Sequence, residues 1–428
     1  MVKMATNRKT EMEESVRQLV RREFKPHFGK LAETFPSIAA WQRLQALGGN
    51  LWLDTGSIDG ASELWTREFT ALTTNNTLLN KEVQTGRYDA LIGQAAKLLA
   101  AYDELSDRDR LLEIAFILNA RHALHLVEKF DAYVSVEEHT DLAHDVDSAV
   151  RYAHRYHEIC PERFYVKIPF TAAGVLATRR VCAAGVAVNH TLGFSARQNY
   201  VIARIARPNF VNVFLGRLNS FVADNDLGDG TYIGEKATLA TQRVIRKLRK
   251  THKLSSRLIG ASFRSGQQVR DLAGIDVMTM PTKVAKEFLD LKLSNDEIVD
   301  KTAEQYRPPL RKGVDPKAIR LDTLWDVDRE LVDCVDALEK ENVDSFTPDD
   351  LIAFFADHGC GDIFVKWTAE QIKTSADEGK IPKLENWRDA LAEGAVGLDS
   401  LLNLAGLNSF TADQQAMDER VADVLAKS

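Results

Sequence analysis

The sequence predicts an α/β protein: a closed (β/α)8 barrel of the TIM type, with an N-terminal helical segment and a C-terminal helical extension. Three observations lead there. Eight short apolar runs with strand character follow one another between residues 50 and 280. Helical segments lie between most of them, as parallel strands joined by right-handed crossovers require. Polar and reactive residues gather at the ends of different runs, which is where such a barrel carries its chemistry.

In chain order, residues 8–48 read as helix: Val16, Leu19 and Val20 recur at helical spacing, and a second apolar face runs from Ile38 to Leu47. The period then changes. NLWLDTG (50–56), FTALTTN (69–75), DAYVSVE (131–137), FYVKIP (164–169), GVAVNHT (185–191), FVNVFLGR (210–217), SRLIGASFR (256–264) and IDVMTM (275–280) are the strand-like runs. RDRLLEIAFILNARHALHLVEKF, SARQNYVIARIARP and KATLATQRVIRKLRKTHK are helical segments between them. This divides the chain into a helical segment (1–48), a catalytic barrel (49–290) and a mainly helical extension packed on the barrel (291–428). The polar stretch LSNDEIVDKTAEQYRPPLRKGVDP, with Pro308 and Pro309, marks the connection to the extension. Within the extension SFTPDDLIAFF opens a helix with Thr347 as N-cap, followed by Pro348 and Asp350, and FTADQQAMDERVADVL repeats the signal with Thr411 and Gln414.

Composition narrows the function classes. With 45% hydrophobic and 27% charged residues in 428, there is material for a large core. A net charge of -7 argues against a general nucleic-acid binder, which needs a positive surface. The four cysteines, Cys160, Cys182, Cys334 and Cys360, form no CxxC pair, so neither a zinc site nor a disulfide framework is suggested. The first residues carry acidic side chains and no apolar h-region, and no apolar run is long enough for a membrane span, so the expected location is cytoplasmic and no membrane partner is expected.

Asp54, Asn75, Glu137, Lys167, Asn189, Thr191, Asn212, Ser262 and Arg264 lie at or near the ends of different runs. Two-residue alternation puts Asn189 with Thr191, Asn212 with Phe214, and Ser262 with Arg264 on common strand faces, which suggests a lined pocket. Lys167 stands out, because a strand lysine ordinarily snorkels to water. Inside a barrel it loses hydration, which favours the neutral amine that can attack a carbonyl and form a Schiff base. Cleaving a carbon–carbon bond next to that imine needs a base and a second proton carrier, and Asp54 and Glu137 offer two carboxylates. Asn75 and Asn189 suit substrate hydroxyls, and Arg217 and Arg264 suit a phosphate. The plain alternatives are helix caps or surface acids for the carboxylates, loop turns for the amides and surface salt bridges for the arginines.

The runs LDTGSI, LTTNNT, VSVE, YVKIP, VNHTLGFS, VFLGR and GASFR, in this order and approximate spacing over residues 48–290, resemble the transaldolases, barrels with a Schiff-base lysine. The resemblance implies that Lys167 forms the Schiff base and that Asp54 takes and returns the proton of the cleaved aldol. It pairs Glu137 with Thr191 around a proton-relaying water, assigns Asn75 and Asn189 to the dihydroxyacetone hydroxyls, and makes Arg217, Ser262 and Arg264 phosphate positions. Phe214 stands where related fructose 6-phosphate aldolases carry tyrosine, which favours transfer over release. Asn212 stands where many transaldolases have serine, and KIPFTAAG lacks a tryptophan common after the lysine. The implied activity moves a dihydroxyacetone unit between phosphorylated sugars, in the non-oxidative pentose phosphate route of carbohydrate metabolism, with no cofactor or metal.

Other signals carry less. LGDGTYIG lacks a GK[ST] ending and reads as a flexible loop. RVIRKLRKTHK fits the solvent face of a barrel helix whose Val244, Ile245 and Leu248 face inward. The ten histidines form no HExxH pair; His122 and His125 read as a surface pair, and His190 alternates away from Asn189 and Thr191. The sequence leaves three places open for the extension: over the barrel mouth, beneath the barrel, or in a homodimer contact.

Overall fold

The computed structural model describes residues 2–29 and 34–427. Strands β1 (Asn50–Asp54), β2 (Phe69–Thr73), β3 (Tyr133–Glu137), β4 (Phe164–Pro169), β5 (Val188–Thr191), β6 (Phe210–Phe214), β7 (Arg257–Ala261) and β8 (Val277–Pro281) follow in that order around a closed barrel, each parallel to its neighbours. The helical segments read between the runs appear as Asp107–Phe130, Ala196–Ile205 and Ile233–Thr251. The expected barrel is therefore the observed one.

Alternation fills its interior in two tiers. Trp52, Ala71, Phe210, Ile259, Ala261 and Val277, with Tyr165 against them, make an apolar plug. Trp52 stacks on Tyr165 at 5.8 Å between centroids and meets Phe210 edge-on at 4.8 Å. Two residues further along the same strands the inward positions are Asp54, Thr73, Lys167 and Asn212. An aromatic floor thus underlies a polar upper tier. The outward positions of β4, Phe164, Val166 and Ile168, are fully buried in the main core beneath the surrounding helices.

Several expectations need correction. The N-terminal segment is not helical throughout: helices span Val2–Arg21 and Ala39–Ala46, and part of the intervening stretch, residues 30–33, lies outside the described residues. Pro26, Gly29 and Pro36 explain the break, since proline removes a helical donor and Gly29 sits at φ 84°. β6 stops at Phe214, and Leu215–Arg217 already belong to the helix Leu215–Asp224. β7 stops at Ala261, so Ser262 and Arg264 share no strand face; Ser262 turns out of the sheet at φ 63°. Thr347 does cap the helix Pro348–Asp357, in a capping box with Asp350. Thr411 caps nothing, lying inside the helix Leu398–Ala426, where no Pro or Gly follows it and the buried Phe410 and Met417 hold the helix against the body. His122 is fully buried, bonded through Nδ1 to the Tyr88 hydroxyl at 2.8 Å, and burial pushes its pKa down to about 3, so it is no surface histidine.

The extension lies across the upper rim. Its helix Leu398–Ala426 packs on the helices Asn76–Gln84 and Asp89–Leu99. Asp418 pairs with His139 at 3.2 Å and Arg108 at 3.0 Å, and Gln414 accepts from Asn76 Nδ2 at 2.9 Å. Further along the rim, Asp399 accepts from Ser195 Oγ at 2.6 Å and from Arg197 at 2.7 and 2.9 Å. Arg197 also reaches Asp362 at 2.9 Å, to which Arg320 adds a bond at 2.6 Å. Ser195 and Arg197 follow β5, so buried charge ties the extension to the ends of the strands. Among the described residues no helix is long and apolar enough to cross a membrane.

Candidate active site

A cleft of about 160 Å³ opens at the C-terminal ends of the strands. Of the residues singled out from sequence, Asp54, Asn75, Lys167, Asn212, Phe214, Arg217, Ser262 and Arg264 line it. Glu137, Asn189 and Thr191 are not among its lining residues: Glu137 and Asn189 touch it through Lys167 and Asn212, while Thr191 ends β5 opposite Pro169.

Lys167 is buried to 4% exposure, above the aromatic floor. Its Nζ donates to the Thr74 carbonyl at 2.9 Å and lies 3.5 Å from Glu137 Oε2. Register brings these groups together, because Lys167 stands opposite Glu137 on one side and Asn189 on the other. Thr74 is held in turn by its own N–H and hydroxyl, which donate to the Ser135 carbonyl at 3.2 and 3.0 Å. The amine is therefore fixed from two sides.

Asp54 closes β1 and accepts from Thr73 Oγ1 at 2.7 Å. With that proton committed, Thr279 Oγ1, 2.7 Å from Thr73 Oγ1, is the donor of the next bond. Burial raises the Asp54 pKa, against the Thr73 hydrogen bond and the charges of Lys167 and Arg264. Burial also raises Glu137, against the Lys167 charge and the Asn76 backbone N–H. Both carboxyls therefore hold protons more readily than free ones, beside an amine.

The amides form a chain. Asn189 Nδ2 donates to Ser135 Oγ at 2.8 Å, and Asn212 Nδ2 donates to Asn189 Oδ1 at 2.5 Å and to the His190 carbonyl at 2.9 Å. Both N–H groups of Asn212 are then used, so its carbonyl oxygen is what it can offer a ligand. Asn75 is the converse: its Oδ1 caps the helix Asn76–Gln84 by accepting from Leu78 N at 2.9 Å, leaving its N–H groups to donate. Thr191 is fully buried, and its hydroxyl has no hydrogen-bond partner among the described residues. His190 points away, as alternation reads, with Nδ1 3.0 Å from Thr178 Oγ1 beneath a helix, where burial pushes its pKa down to about 3.

Across the cleft lies a cationic end. Arg217, 5% exposed, has its guanidinium carbon 5.8 Å from the Phe214 ring centre and 5.4 Å from that of Phe410. Its Nη1 is buried without a hydrogen-bond partner among the described residues, and burial together with Arg264 pushes its pKa down to about 10. Arg264 is exposed. Gly216 permits this approach of two loops, because a Cβ there would sit 2.1 Å from the Ser262 carbonyl and 2.7 Å from Arg264 Cγ.

Sequence reasoning missed Thr73, Thr279, Lys380 and Phe410, all of which line the cleft. Thr279, a polar residue between Met278 and Met280, carried the same signal as Lys167. Lys380 and Phe410 come from the extension and carried none. The extension also accounts for the unusual segment after Lys167: Phe170 of KIPFTAAG stacks on Phe364 at 5.2 Å and 3° between planes, while Thr171 caps the helix Ala172–Ala183.

The family model described as transaldolase/fructose-6-phosphate aldolase matches residues 51–353. The chain is 26% identical over 262 residues to a probable transaldolase of Dictyostelium discoideum, covering 60% of this chain and 79% of that protein. It is 27% identical over 260 residues to a transaldolase of Chlamydia pneumoniae, covering 58% and 73% of the two. With a probable transaldolase of Thermus thermophilus it shares 31% identity over 249 residues, 57% of this chain and 92% of that one.

Proposed function

The chain belongs to the transaldolase/fructose-6-phosphate aldolase family, and on that premise we propose that it is a transferase carrying a dihydroxyacetone unit between sugar phosphates on a Lys167 Schiff base. The donor is a ketose phosphate, fructose 6-phosphate or sedoheptulose 7-phosphate. The acceptor is an aldose phosphate, erythrose 4-phosphate or glyceraldehyde 3-phosphate. This places the reaction in the non-oxidative pentose phosphate route. The observation that carries the reading is Lys167 Nζ itself, buried 3.5 Å from the Glu137 carboxylate and lining one cleft with Asp54.

The neutral amine of Lys167 attacks the ketose C2 carbonyl, and loss of water gives the iminium. Asp54 takes the proton of the C4 hydroxyl as the C3–C4 bond breaks, the bond electrons pass into the iminium to give an enamine, and the aldose phosphate departs. The enamine then attacks the carbonyl of the acceptor aldehyde while Asp54 returns the proton. Hydrolysis of the new iminium frees the amine. A water held by Glu137 and Thr191 relays protons in forming and hydrolysing the imine. Asn75 donates to the dihydroxyacetone hydroxyls and Asn212, oriented by Asn189, accepts from them; Arg217, Ser262 and Arg264 hold the phosphate. Phe214 offers no hydroxyl to protonate the enamine, which favours transfer.

Borohydride reduction with fructose 6-phosphate, followed by peptide mass analysis, tests this directly. The expected result is a reduced dihydroxyacetone adduct on the peptide containing Lys167; its absence would overturn the mechanism. Turnover of fructose 6-phosphate is expected to need an added aldehyde, and rapid release of dihydroxyacetone without one would move the chain to the aldolase branch of the family.

A further inference from the structure

The cationic end of the cleft is not completed by the barrel alone. Lys380 and Phe410 line it together with Arg217 and Arg264, and both lie beyond residue 353, where the family match ends. Lys380 sits in a short, well-anchored loop. Gly379, at φ 80°, ends the helix Ala369–Glu378. Asn225 then ties the following residues to the end of the very helix that carries Arg217 in its first turn: its Nδ2 donates to the Pro382 carbonyl at 2.9 Å, and its Oδ1 accepts from Leu384 N at 2.7 Å. Glu378 closes the other side, accepting from Lys383 N at 3.1 Å and Trp387 Nε1 at 2.9 Å.

Charge at this end is unbalanced. Asp54 is the lone carboxylate among the residues that line the cleft. Among the described residues, none of Arg217, Arg264 and Lys380 makes an ion pair with a carboxylate within 4.0 Å. Lys380 is exposed, whereas Arg217 is buried under the Phe410 ring. Arg217 and Arg264 act on each other by charge, and the carboxylates that offset them, Glu137 and Asp413 for Arg217 and Asp54 for Arg264, do so without direct pairing. A phosphomonoester, with about two negative charges and three acceptor oxygens, supplies the direct partner that this lining lacks.

We propose that Lys380, delivered by the C-terminal extension, is a third phosphate-binding cation of the cleft, so that the extension determines selectivity for phosphorylated sugars. The assignment rests on the reading of Arg217 and Arg264 as the phosphate end. Phe410 covers Arg217 on the extension's side and shields that contact from water, and the pinned loop holds the ammonium near its place before substrate arrives.

The test uses the full chain with Lys380→Ala and Lys380→Arg, and inorganic phosphate as the calorimetric probe. Lys380→Ala is expected to weaken phosphate binding about tenfold and to raise KM for fructose 6-phosphate by a similar factor, with kcat within about twofold. Turnover of unphosphorylated fructose with unphosphorylated glyceraldehyde as acceptor should not change, and Lys380→Arg should restore most of the phosphate affinity. Phosphate affinity and KM within about twofold of the parent in Lys380→Ala overturn the proposal. Equal losses with phosphorylated and unphosphorylated sugars overturn it as well. Borohydride trapping is read in parallel on the parent. An adduct on Lys167 with unchanged phosphate affinity in Lys380→Ala removes only the role of Lys380, whereas no adduct with a clear loss of phosphate affinity supports Lys380 and removes only the aldol reading.

Discussion

Single residues set the chemistry through burial. Asp54 and Glu137 are both raised by loss of solvent, and the proposed mechanism needs Asp54 deprotonated to take the hydroxyl proton. The sign follows: a raised carboxyl stays protonated to higher pH, so activity is expected to appear as pH rises through a value above the ordinary aspartate pKa of about 3.9. Because Asp54 also raises Glu137 by its charge, the limb belongs to the pair. A kcat/KM profile with its acid limb at or below that ordinary value would contradict the assignment. Asp54→Asn should lower kcat by roughly 10²–10⁴. It should still be trapped by borohydride on Lys167, now mainly as the adduct of uncleaved fructose 6-phosphate, since the amide leaves Lys167 and its two contacts in place.

Elements bring these residues together through backbone approaches that side chains would prevent. The turn from β6 into the helix Leu215–Asp224 meets the loop after β7 at Gly216, where a Cβ would stand 2.1 Å from the Ser262 carbonyl. Ser262 is already left-handed at φ 63°, so its backbone has little freedom to yield. Gly216→Ala is expected to cost about 1–3 kcal/mol in denaturant unfolding. The same displacement moves Arg264, so inorganic phosphate should bind more weakly to this variant in calorimetry; unchanged stability and phosphate affinity would show that the two loops can part without consequence. The aromatic tier of Trp52, Tyr165 and Phe210 plays the complementary part, closing the barrel from below so that Lys167 sits on an apolar surface.

At the scale of the whole molecule, the extension is held by buried charge, and its removal should be felt at the cleft. Asp399 is fully buried and accepts from Ser195 and Arg197, so Asp399→Ala takes one partner from a buried cluster and leaves Arg197 with Asp362. A loss of about 3–5 kcal/mol in urea unfolding is expected; a loss below about 1 kcal/mol, the scale of an exposed pair, would mean that the cluster does not hold the extension. The sequence by itself determined the barrel, its eight strands and the residues at their ends, because alternation along a strand is set by local covalent geometry and reads directly as inside and outside. Lys167, Asp54 and Asn212 were legible for that reason, and Thr279 could have been. Where strands ended was less legible: Ser262 and Arg264 continue an apolar run in sequence but leave the sheet, since pairing partners decide where a strand stops. Thr411 carried a cap signal that packing of the helix Leu398–Ala426 overrode. Only the tertiary structure decided that this helix and the loop at Lys380 lie over the mouth. That choice depends on many weak contacts summed over distant segments, together with a buried ion cluster, and no single stretch of the chain records it.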